Sequence, residues 1–171
     1  RYCDELMRLR SEVTPMPFEE VAEVLESSYG CPWQEIYEKI EPVPLGAASI
    51  AQVHKAVLKN GPQVVIKVQR KGIYETMARD ISLLHKAVKL LPPVSLKGIV
   101  DLDMVLDELW KVTREEMNFI TEAGNMEEFA RKNADVSFVG VPELYQEYST
   151  IHVLVMEYVD GFAVDDKETL L

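Results

Sequence analysis

Cysteine is nearly absent from this chain: Cys3 and Cys31 are its only two in 171 residues. That excludes a disulfide scaffold, and their separation excludes a C-x-x-C metal knuckle, so both read as reduced thiols of a cytosolic protein. Positive charge is also scarce, with 18 Lys+Arg against 29 Asp+Glu and a formal net charge of −11. Such a chain repels phosphate backbones, which excludes nucleic acid as a partner, and any anionic ligand must be held by local cations. No run approaches the roughly 18 apolar residues of a membrane helix. The start, Arg1-Tyr2-Cys3-Asp4-Glu5, has neither an initiator Met nor a basic-then-apolar leader, and reads as an excised piece.

What is present is enough for a core, since 47% of the residues are hydrophobic and 27% charged. Helical patterning covers Tyr2 to Arg10 and Pro17 to Tyr29. The second stretch has Pro17 near its first turn, Glu19 and Glu20 at its positive end and Gly30 after it. A short helix is expected over Trp33 to Ile40. Ile50 to Leu58 and Gln63 to Gln69 then read as strands joined by a tight turn at Asn60-Gly61. Helix follows from about Ile73 to Leu91, stops at Pro92-Pro93, and resumes from about Asp101 to Lys132 as one long element. Two further strands are expected at Phe138 to Tyr145 and Ile151 to Tyr158. The order implies an α+β domain with no internal repeat.

Lys67 is the residue out of place, an ammonium in the apolar strand Val64-Val65-Ile66-Lys67-Val68-Gln69. Burying it alone costs several kcal/mol, about 3–5 when a partner is removed, so it needs an anion or a route to water. Alternation puts Val65, Lys67 and Gln69 on one face and Val64, Ile66 and Val68 on the other. Upstream, Pro44-Leu45-Gly46-Ala47-Ala48-Ser49 is a loop of small side chains, through which backbone N–H groups approach a phosphate closely; a plain tight turn uses the same residues.

On a helical wheel, Leu102, Leu106, Leu109, Thr113, Met117 and Ile120 form one apolar stripe, with Asn118 and Glu122 opposite. Glu116 falls within the stripe, where a carboxylate requires a cationic or donor partner. His54, His85 and His152 stand at no metal-ligand spacing and are read as structural. The acidic group Asp160, Asp165, Asp166 and Glu168 is read as helix caps and dipole partners rather than a metal site.

Together, Gly46-Ala47-Ala48-Ser49-Ile50-Ala51-Gln52-Val53-His54, the Lys67 strand, Glu116-Met117-Asn118-Phe119-Ile120-Thr121-Glu122-Ala123 with Asn125, and Met156-Glu157-Tyr158-Val159-Asp160-Gly161 resemble the UbiB, or aarF-domain, family of atypical kinases. The resemblance runs over nearly the whole chain, Val141-Pro142-Glu143 and Thr150 to Leu154 included. It implies a protein-kinase-like N-lobe: a twisted antiparallel sheet with a long helix of the αC type, and additional helices before and between. The implied division is a helical extension over 1–41, the nucleotide-binding lobe over 42–160, and the start of the hinge and C-lobe over 161–171.

The same resemblance implies ATP or ADP with Mg²⁺ as cofactor, with the metal ligands in a C-lobe after Leu171. Gly46, Ala47, Ala48 and Ser49 would cover the phosphates, and Lys67 would contact them while paired with Glu122. Val65 would narrow the space above adenine, with Met156, Glu157 and Tyr158 at the back and hinge of the pocket. Glu116 would open a regulatory E-x-D motif whose third position is here Asn118, its partner a K-x-G-Q extension upstream of Arg1. Function is implied as a kinase or ATPase of isoprenoid-quinone or lipid metabolism, on the cytoplasmic side and membrane-associated as the full-length protein. The fragment itself lacks the catalytic loop and metal motif. The competing readings are a kinase-like scaffold that binds a protein or lipid without catalysis, and a helical regulatory domain with an incidental hairpin.

Overall fold

The computed structural model describes residues 13–59, 61–90 and 101–161. Its centre is an antiparallel sheet of β1 (Tyr37–Ile40), β2 (Gly46–Ala47), β3 (Ala51–Leu58), β4 (Gln63–Gln69) and β5 (Val153–Glu157). The order is β1-β3-β4-β5, and β2 lies along the same edge of β3 as β1, opposite Gln52 and Val53. Four α-helices accompany it among the described residues: α1 (Phe18–Tyr29), α2 (Ile73–Leu90), α3 (Leu102–Glu116) and α4 (Phe119–Lys132). The architecture is the α+β, kinase-like N-lobe that the sequence implies.

Alternation in the two central strands decides the layers. Val64, Ile66 and Val68 are fully buried on one face, where they join Ala56, Leu58, Val153 and Val155. Val21 and Leu25, one turn apart on α1, complete that core. The opposite face carries Ala51 and Leu154 under Phe119 and Ala123 of α4. The sheet thus has α1 on one side and α4 on the other, and Lys67 lies on the α4 side.

Three expectations are corrected. Trp33 to Ile40 is not a helix: Trp33–Glu35 is a single 3₁₀ turn, and Tyr37–Ile40 is strand β1, paired with β3 across an irregular register. Pairing with the free edge of β3 brings Tyr37 and Ile40 fully into the core and overrides helical propensity. Residues 37–40, placed by sequence in a helical extension, are therefore part of the sheet.

The long helix from Asp101 to Lys132 is two helices. Met117 and Phe119 are both buried, and residues two apart on a continuous helix point about 200° apart. The chain breaks between them, and Asn118 caps α4 with its side chain accepting from the Ile120 N–H at 3.1 Å. Phe138 to Tyr145 forms no strand. A Leu144–Met156 bridge, the Tyr145 N–H to Val155 and Glu157 N–H to Glu143 bonds, and the Glu143 N–H donating to the Glu157 carboxylate tie it to β5 without a ladder, and Pro142 cannot donate. The helix expected over Tyr2 to Arg10, the Pro92-Pro93 stop and Asp165, Asp166 and Glu168 lie outside the described residues, as does Asn60 of the β3–β4 turn.

Candidate functional site

Lys67 sits in the middle of β4, flanked across the ladder by Val53 on β3 and Leu154 on β5. Its Nζ donates to both carboxylate oxygens of Glu122, at 2.9 and 2.6 Å. The ammonium also lies 4.7 Å from the centroid of the Phe119 ring. The expected partner is the observed one, brought 55 residues across the fold by the first turn of α4. Glu122 there also suits the positive end of the helix.

The pair is not sealed. The Lys67 side chain is 23% exposed and that of Glu122 37%, so water screens them, and ion pairs of this kind contribute about 0.2–1 kcal/mol. That is too little for the pair to be a principal support of the fold. Its consequence is geometric: an oriented ammonium with one side open.

The open side continues over Val53, Val65 and Met156, all half-buried on the same face. At the far end of this strip the Lys55 ammonium rests 3.8 Å over the Tyr158 ring. Gly46 and Ala47 are strand β2 itself, and Ala48 and Ser49 follow in the turn into β3, closed by the Ala48 N–H donating to the Ala51 carbonyl at 2.8 Å. A Cβ placed on Gly46 would meet no atom within 4 Å, so packing does not demand glycine there and the space over it is open. The hinge residues are partly committed: the Glu157 N–H donates to Glu143 and the Tyr158 N–H to Gln63.

Glu116 is exposed at the end of α3. The requirement for a partner assumed that the stripe is buried, but α3 has no buried residue and Leu109 on that stripe is 48% exposed, so a carboxylate there meets water. Asn118 stands apart from the Lys67–Glu122 pair as the cap of α4. Asn and Asp cap about equally well, so the exchange of Asp for Asn costs α4 nothing as a cap.

Three residues of this neighbourhood were not singled out from sequence as site members. Gln69 is buried two places after Lys67, its Nε2 donating to the Met117 carbonyl and its Oε1 accepting from His152 Nδ1. Arg70 donates from Nε to the Ala48 carbonyl and from Nη2 to the Thr14 carbonyl, fixing the small-residue turn. Gln52 grips Met16 through its backbone N–H and carbonyl. A polar residue in an apolar run, the signal that found Lys67, was also there at Gln69.

Residues 8–171 match the family model for the ABC1 atypical kinase-like domain. The chain belongs to the ABC1 atypical kinase-like family. Among its relatives, it is 36% identical over 171 residues to AarF domain-containing protein kinase 1 of Xenopus laevis, covering 98% of this chain and 32% of that protein. It is 33% identical to an uncharacterized protein in the hydrogenase 1 5′ region of Clostridium pasteurianum, covering 99% and 32%. A solved structure, that of the Rv3197–erythromycin complex from Mycobacterium tuberculosis, superposes with a TM-score of 0.72 at 31% identity, over 94% of this chain and 39% of that one. The chain spans about a third of the length of these curated relatives. The resemblance read from the Gly46, Lys67 and Glu122 motifs is thereby shown, and the chain is a fragment of an ABC1 domain.

Proposed function

We propose that this chain is the ATP- or ADP-binding lobe of an ABC1-type atypical kinase or ATPase, with Lys67 as its phosphate-contacting lysine. The observation that carries the reading is the Lys67–Glu122 pair, bidentate yet open on one side. In a chain of net charge −11, a phosphate needs such a local cation, and this one is oriented before any ligand arrives. The apolar strip of Val53, Val65 and Met156 offers a flat surface for a base, and the space over Gly46 admits phosphate oxygens. Adenine would be met at the hinge by groups other than the Glu157 and Tyr158 N–H, which are engaged.

Mg²⁺ would enter with the nucleotide, its ligands supplied by the C-lobe. The kinase-like fold leaves phosphoryl transfer or hydrolysis to the whole protein, and the UbiB resemblance extends this reading to isoprenoid-quinone or lipid metabolism. A scaffold without nucleotide has no use for a lysine and glutamate held this way and part open to water, which favours the catalytic class.

The test is titration of the full-length protein with Mg-ADP and Mg-ATP. Lys67→Ala is expected to weaken binding at least tenfold, about 1.4 kcal/mol. Unchanged affinity in that variant would overturn the assignment.

A further inference from the structure

Gln69 is 5% exposed, and both ends of its amide are used. Nε2 donates to the Met117 carbonyl at 2.8 Å. Oε1 must then be the acceptor, and His152 Nδ1–H donates to it at 2.6 Å. Met117 is the residue at which α3 ends, and its carbonyl belongs to the helix-terminal set that has no intrahelical partner. One residue beyond the cap, the Phe119 N–H donates to the Ile151 carbonyl. The start of α4 is therefore tied at two adjacent points, to β4 through Gln69 and to the segment entering β5 through Ile151.

A core filler does not need these bonds, since a methionine of similar size would pack without the cost of burying an amide. The amide does something a filler cannot, which is to fix one named carbonyl at a set distance from β4. Lys67 lies two residues before Gln69 on the same strand face, and Glu122 lies five residues after Met117, in the first turn of the helix so fixed. We propose that Gln69 is the positioning residue that holds α4 at the distance where Glu122 meets Lys67. The inference deepens the nucleotide reading, and rests on it only for its effect on ligand affinity.

The experiment uses the full-length protein with Gln69→Glu and Gln69→Met, each close to the parent in size. Gln69→Glu keeps an acceptor for His152 and sets an oxygen against the Met117 carbonyl; Gln69→Met keeps the packing and removes both bonds. The first readout needs no nucleotide: the side-chain ¹³Cε and ¹⁵Nζ resonances of Lys67, assigned with Lys67→Arg. In both Gln69 variants these are expected to move to the position seen in Glu122→Gln. A merely structural role lowers the melting temperature and leaves those resonances in place, which would overturn the proposal. Should one variant fail to fold, the other still reports.

The second readout is Mg-ADP affinity, expected to fall by the same factor in Gln69→Met as in Glu122→Gln, with no further loss in the double variant. Losses that multiply in the double variant would also overturn it. If Lys67→Ala leaves Mg-ADP affinity unchanged, the nucleotide reading fails, and the Lys67 resonances alone decide the role of Gln69.

Discussion

His54 shows how completely a single side chain can be determined by its neighbours. The Met16 N–H needs an acceptor, so the Gln52 oxygen faces it and the Gln52 nitrogen faces His54 Nε2 at 2.8 Å. The imidazole proton is thereby on Nδ1, donated to the Glu41 carbonyl at 2.7 Å. Burial pushes the pKa of His54 below its usual value, and protonation at Nε2 would set two donors face to face. With the folded pKa lowered, the unfolded chain takes up the proton first. The contribution of His54 is complete above pH 6.5 and is lost as pH falls through that value toward the folded pKa. Urea unfolding at pH 7.5 and pH 5 should show a larger acid loss in the parent than in His54→Gln. Equal losses would remove His54 as the source. Histidine's role as a structural residue was legible from its lack of ligand spacing, whereas its tautomer depends on Met16, 38 positions away, and was not.

At the scale of elements, α4 is the part on which the site turns. Phe119 is fully buried against Ala51 and Leu154, and Phe129 on the same helix is 52% exposed. Phe119→Ala is expected to cost about 3–5 kcal/mol in urea unfolding, and Phe129→Ala within about 0.5 kcal/mol. A small effect at Phe119 would mean that α4 is held by its hydrogen bonds rather than by packing. The strands β3 and β4 were legible because an alternating pattern with one face buried fixes register. The break before α4 was legible only in part. Asn118 is a good cap, but the apolar periodicity ran through it, and the competing fact, that Met117 and Phe119 are buried together, belongs to the sheet they pack on. β1 was lost for the same reason, since an edge strand is stabilised by its partner.

Across the molecule, support is uneven. The sheet is covered on both faces, whereas α2 and α3 each contain no buried residue and lean on one another through Tyr74 and Trp110, with His85 between Asp103 and Asp107. Elements with few buried apolar contacts open at lower free energy than a sheet core. Hydrogen exchange should therefore reach residues 73–90 and 102–116 well before 51–58 and 63–69, and uniform protection would contradict this layering. The same helices expose Leu83, Leu84, Met104, Val105, Leu109 and Val112, and of the stripe that drew Glu116 inward on paper Leu109 is among them.

The sequence by itself determined the family, the antiparallel β3–β4 pair and the identity of both partners in the Lys67–Glu122 pair. The strand pair rests on local alternation, the need of Lys67 for an anion on the cost of burying an ammonium, and the family and the choice of Glu122 on the resemblance of the motifs. Only the tertiary structure decided that the pair stays open to water, that Asn118 is a cap, that Glu116 lies outside, and that Gln69 and Arg70 tie the site's edges to the rest of the chain. Each of those depends on which distant backbone group a side chain meets, and no pattern along the chain encodes that distance.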